Sequence, residues 1–103
     1  MFSQIFDIIE AEYGGPLERE SMNVARFVTH LRYFFVRAHT GAQLADDTST
    51  LLAAIRVAHP RADRCARRVR DVLEMRLDQP ITEEETAYLT LHIARLSQPG
   101  RLT

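Results

Sequence analysis

The sequence predicts an all-α domain, a compact bundle of about five helices. Three observations carry that expectation. Apolar residues recur at helical spacing in five separate stretches. Breakers stand between most of those stretches: Gly14-Gly15-Pro16, His59-Pro60 and Asp78-Gln79-Pro80. No stretch shows convincing strand alternation. With 103 residues, 46% of them hydrophobic, the chain fits a single domain, residues 1–103, with enough apolar side chains for a core.

Phe2, Ile5, Phe6 and Ile9 follow i, i+3, i+4, i+7 spacing and predict a short first helix, stopped at Gly14. The second helix is expected from about Glu18 to Ala38, with Val24, Phe27, Val28, Leu31, Phe34 and Phe35 as its apolar stripe. His39 to Asp47 reads as a loop. A third helix is expected from Ser49 to about Ala58, capped by Asp47 or Thr48 and carrying Leu51, Leu52 and Ile55. His59-Pro60 ends it, because a residue before proline avoids the α region. The fourth helix, Arg61 to about Leu77, turns Ala62, Cys65, Ala66, Val69, Val72, Leu73 and Leu77 inward. The fifth opens on Thr82-Glu83-Glu84-Glu85, a capping box in which Thr82 and Glu85 serve each other's end groups. It runs to about Ser97, and Pro99-Gly100 follows.

Charge and cysteine usage exclude several classes. The net charge is −1, so no global field points to nucleic acid or acidic lipid. Cys65 is the single cysteine, so neither an internal disulfide nor a cysteine zinc cluster can form. A reducing cytoplasm is the expected setting. The start of the chain does not resemble a secretory leader, and no apolar run approaches a membrane span. Arg61, Arg64, Arg67, Arg68 and Arg70 could make a basic strip. However, Asp63–Arg67, Arg67–Asp71 and Arg70–Glu74 are i, i+4 pairs, which favours a solvated, salt-bridged face over a nucleic-acid surface.

Two histidines offer the best handle on chemistry. His30 shares a helix face with Arg26, Phe27, Tyr33, Phe34 and, two turns on, Arg37. His92 shares one with Tyr88, Leu89, Arg95 and Leu96, and Glu85 lies two turns earlier. An imidazole can titrate, bind metal or take a phosphoryl group. An arginine beside it suits a phosphoryl group better than a metal. Spacing alone favours a structural histidine in both places. His39 and His59 sit at helix ends, where capping of carbonyls is expected. A metal-dependent helical hydrolase using His30, His92 and the Glu83–Glu85 run stays open as an enzyme reading, although no pair has ligand spacing. A purely structural interaction domain stays open too.

The run Thr29-His30-Leu31-Arg32-Tyr33-Phe34-Phe35-Val36-Arg37 resembles the first histidine motif of the PTS-regulation domain (PRD), with an arginine seven residues after the histidine. Ile81 to Ile93, with its acidic start, Glu85 three before Tyr88 and Leu91-His92-Ile93 at its end, resembles the second motif. His59-Pro60 stands where the family often has an aromatic-proline pair. The likeness covers nearly the whole chain and is closer to the second PRD of tandem pairs. It departs at Thr29, where the family commonly has Asp; threonine supplies no charge beside His30.

The resemblance implies a non-enzymatic, cofactor-free regulatory domain of a bacterial sugar-operon antiterminator or activator. His92 and His30 would accept phosphoryl groups from the phosphocarrier protein HPr or from sugar-specific transport components of the phosphotransferase system. Arg37 would be the charge partner of the phosphate. Phosphorylation would shift a homodimer equilibrium and so control nucleic-acid binding by a separate domain. The chain is therefore expected to be a fragment of a larger cytoplasmic regulator.

Overall fold

Five helices account for most of the residues that the computed structural model describes, 2–43 and 49–96: α1 Phe2–Tyr13, α2 Met22–His39, α3 Ser49–Ala58, α4 Pro60–Leu77 and α5 Glu83–Leu96. Among these residues there is no strand. The all-α expectation therefore holds. The Asp47 or Thr48 cap, the extension to Ser97 and the Pro99-Gly100 stop lie outside the described residues.

α4 is the hub. It packs on α5, α1 and α3, and α2 joins through α5. Its hub role follows from small and apolar residues one turn apart: Ala62, Cys65, Ala66, Val69 and Leu73 are all buried. Small side chains let neighbouring helices approach closely, and Phe27, Ile5, Ile9 and Ile93 fill the space between. Of the expected inward positions, Val72 and Leu77 are only partly buried. On α2 the stripe Val24, Phe27, Leu31 and Phe34 is buried, while Val28 and Phe35 pack at its margin. Phe6 meets Phe27 at 6.2 Å between ring centres and Phe2 meets Phe35 at 5.8 Å, which seats α1 against α2. Tyr33, grouped by sequence with these aromatics, instead points out to solvent.

α2 starts four residues later than spacing suggested. Ser21 is its N-cap, and its hydroxyl accepts the Val24 N–H at 3.2 Å. Glu18-Arg19-Glu20 belongs instead to the turn before it. Glu10 accepts the Leu17 N–H at 2.8 Å and pairs with Arg19, which holds that segment off the helix path. The backbone bond to Leu17 and the Arg19 charge keep the Glu10 carboxyl below its usual range. Pro60 takes the first position of α4, where its missing N–H costs nothing. Asp78 ends α4 in the left-handed region at φ 55.

Among the described residues, backbone N–H groups rather than the His39 and His59 rings serve the last carbonyls of α2 and α3. Thr40, Gly41 and Ala42 take the last carbonyls of α2. His59 uses its backbone N–H for the Ile55 carbonyl, and its ring makes no cap bond to α4. On the arginine face, Asp63–Arg67 forms as an i, i+4 pair at 3.3 Å. The other two expected pairs are replaced. Arg70 bonds to Asp71 at 3.3 Å and reaches Glu83 at 3.8 Å, and Glu74 accepts the Ile81 N–H at 2.9 Å. Glu74 is thus committed to the α4–α5 turn rather than to its own helix.

Candidate functional site: a stacked histidine pair between two helices

The structure brings His30 on α2 and His92 on α5 face to face. Their ring centres lie 3.9 Å apart, with the planes only 23° from parallel. Tyr88 presents its ring edge-on to both, at 4.6 Å from His92 and 5.7 Å from His30. All three, with Phe27, Leu31, Phe34, Arg37, Leu73, Ile81, Glu85 and Leu89, line a cavity of about 20 Å³. That is room for one water molecule and no more.

The two imidazoles differ in their access to solvent. His92 is 8% exposed, and its buried Nε2 has no hydrogen-bond partner among the described residues. His30 is half-buried. Burial disfavours the charged form of His92, and His30, Arg95 and Arg26 add to the effect; together they lower its pKa to about 4. The His30 pKa is lowered as well, by burial first and then by Arg95, Arg26 and Arg37. At neutral pH both rings are therefore uncharged, and each keeps a nitrogen lone pair.

Arg37 and Glu85 close the inner side of the site. Arg37 donates from Nε to Oε2 and from Nη2 to Oε1, each at 2.7 Å, a two-pronged charge-assisted pair. The Glu85 side chain is 2% exposed. The Arg37 guanidinium also lies over the Tyr88 ring, 5.9 Å from its centre. Sequence placed Glu85 as a capping partner and as a carboxylate on the His92 side; its role in holding Arg37 was not legible. Half of the expected capping box forms: Thr82 Oγ1 accepts the Glu85 N–H at 3.1 Å. The Thr82 N–H, however, goes to Gln43 Oε1 at 2.9 Å.

Gln43 is the second residue that sequence reasoning missed. Its amide donates to Gln79 Oε1 and to the Pro80 carbonyl, both at 3.0 Å, while Gln79 donates to the Ala38 carbonyl at 3.2 Å. These bonds tie the end of α2 to the start of α5 and fix the register in which Glu85 meets Arg37 and His92 meets His30. Deeper in α5, Thr86 and Thr90 satisfy their hydroxyls on carbonyls one turn back, which lets both be buried. Thr29 does the same with the Ala25 carbonyl, so its hydroxyl is turned away from His30.

Among the described residues, no group of three or more His, Cys, Asp or Glu side chains converges as a metal site. Cys65 is fully buried and its thiol is pushed up to about 12, chiefly by burial, so it is a core residue rather than a nucleophile. Among the described residues, no helix is long and apolar enough to cross a membrane.

A five-helix domain carrying a stacked imidazole pair between two of its helices is the class of protein that fold and site define. The PRD domain family matches residues 3–96, and the chain belongs to that family. It is similar to the transcription antiterminator LicT of Bacillus subtilis, at 28% identity over 96 residues, which is 93% of this chain and 35% of that protein. The PtsGHI operon antiterminator of the same organism is 26% identical over 97 residues, 94% of this chain and 34% of its own length. The beta-glucoside operon antiterminator of Dickeya chrysanthemi is 24% identical over 96 residues, 93% and 34%. The chain spans about a third of the length of these relatives.

Proposed function

We propose that this chain is the regulatory domain of a longer cytoplasmic transcription regulator of a sugar operon, switched by phosphorylation of His30 and His92. The observation that carries this reading is the stacked pair of neutral imidazoles beside arginines, on a chain whose named relatives are antiterminators. A nucleophilic imidazole must be unprotonated, and burial keeps both rings so.

The phosphoryl donor is a phosphohistidine, as on the phosphocarrier protein HPr, or a sugar-specific phosphotransferase component. The donor's N–P bond breaks as the new N–P bond forms. The acceptor ring gives up its N–H proton, and the released donor imidazole takes up one. The product places close to two negative charges where there were none. His92 is 8% exposed and its Nε2 is buried, so a phosphoryl group would reach that nitrogen only if α2 and α5 moved apart. Arg37, released from Glu85, would then be available to the phosphate. Such a change in helix packing would bias a homodimer interface, and through it a nucleic-acid-binding domain elsewhere in the full protein.

Incubation with the first phosphotransferase enzyme, HPr and phosphoenolpyruvate tests the reading. Acid-labile phosphate is expected on the wild type, less on either single His→Ala variant, and none on the His30→Ala, His92→Ala double variant. Absence of label on the wild type, or unchanged label on the double variant, would remove the basis of the reading. Sugar-specific transport components are the donors to try in parallel.

A further inference from the structure

Three arginines surround the imidazole pair, and they are not equivalent. Arg37 lines the inner cavity, and its Nε and Nη2 donors are both taken by Glu85. Arg26 stands one helical turn before His30 on α2, and Arg95 stands one turn after His92 on α5. His30 stacks on His92 and Arg37, further along α2, meets Glu85, earlier on α5, so the helices run antiparallel and Arg26 and Arg95 fall together at the end of the pair away from Arg37. Both side chains are exposed, and among the described residues neither makes an ion pair.

Size separates the inner arginine from the outer two. A cavity of about 20 Å³ holds a water molecule, and a tetrahedral phosphate is larger than that. While α2 and α5 are packed as observed, a phosphate group must lie at the mouth of the cavity. Arg26 and Arg95 are outside the cavity lining but close enough for their charges to act on both rings, whereas Arg37 lines the cavity itself.

We propose that Arg26 and Arg95 form an anion subsite over the His30–His92 pair that takes a phosphate oxyanion, either free or carried by an imidazole there. The subsite builds on the histidine-acceptor reading but does not depend on it, since free phosphate would occupy the same place. Its charge is already felt at the rings: Arg95 and Arg26 each disfavour a second positive charge on both imidazoles. Two unpaired guanidinium groups offer forked donors that match phosphate oxygens. Arg37 keeps Glu85 neutralised while α2 and α5 are packed, and reaches a phosphate only once the two helices part.

The test is a titration of the whole domain with inorganic phosphate at pH 7.5, against sodium chloride at equal ionic strength. It is followed by NMR of the histidine ring C–H and arginine Nε–H signals. Saturable shifts are expected at His30, Arg26 and Arg95 in the wild type and in an Arg64→Gln control on α4. Affinity is expected to fall roughly tenfold or more in the Arg26→Gln, Arg95→Gln double variant. Shifts no larger than those with chloride, or equal affinity in the double variant, would overturn the subsite. Phosphate binding by a wild type that never accepts label from the phosphotransferase proteins would sink the histidine-acceptor reading and leave the subsite standing.

Discussion

Replacing Arg37 by methionine is expected to destabilise the domain by about 3–5 kcal/mol. The reason lies with its partner. The Glu85 carboxylate is 2% exposed and accepts both Arg37 bonds at 2.7 Å. Without the guanidinium, a buried carboxylate must stay charged without its cation or take up a proton, and either is unfavourable. The cost compares with a total stability of about 5–15 kcal/mol for a small domain, so the variant should be close to unfolding. An Arg37→Met, Glu85→Leu double variant removes both charges and should recover most of the loss. Urea unfolding followed by circular dichroism gives both numbers. A loss below about 1 kcal/mol for Arg37→Met would mean that the pair behaves like a solvated surface ion pair, contrary to its burial.

Acidification from pH 8 to pH 5 is expected to remove about 2 kcal/mol through His92 alone. The folded His92 pKa is about 4, against an ordinary value of 6.5. Between those values the unfolded chain binds more protons than the folded one, so stability rises with pH through the window and is flat above it. Below pH 4 the folded ring protonates too, and the slope from this residue ends. His30, lowered in the same direction, adds to the effect, and two rings 3.9 Å apart titrate as a pair. Glu10, whose pKa is also lowered, loses its contribution as pH falls through the carboxylate range, below this window. Urea midpoints at pH 8, 6.5 and 5 should therefore fall in order for the wild type. A His92→Gln variant should show a much flatter trend, whatever its absolute stability. Equal slopes in the two proteins would show that His92 is not the buried neutral group described above.

Local patterns made most of the fold legible. The breakers and the spacing of apolar residues located all five helices, and Pro60 and Asp78 bounded α4 as their backbone preferences require. The start of α2 was misread because Glu18-Arg19-Glu20 has good helical propensity, while the deciding bonds come from Glu10 and from Ser21. Propensity is worth tenths of a kcal/mol per residue, and a cap about one, so a tertiary bond plus a cap wins. The site was legible as residues but not as an arrangement. His30 and His92 each looked like a structural histidine at the edge of an apolar stripe. Their meeting depends on how α2 lies on α5, and that is set by Gln43 and Gln79, whose partners sequence spacing does not reveal. Glu85 had two plausible local duties, and the winning partner was a cation 48 residues away. Arg37 was expected as a phosphate partner; in the structure its Nε and Nη2 are already given to a buried carboxylate.

Sedimentation equilibrium of the domain before and after enzymatic phosphorylation tests most directly whether the histidine pair is a switch. The dimer dissociation constant should change by about tenfold or more on phosphorylation, with no change for the His30→Ala, His92→Ala variant under the same treatment. The same dissociation constant for the fully phosphorylated and unmodified wild type would contradict the account.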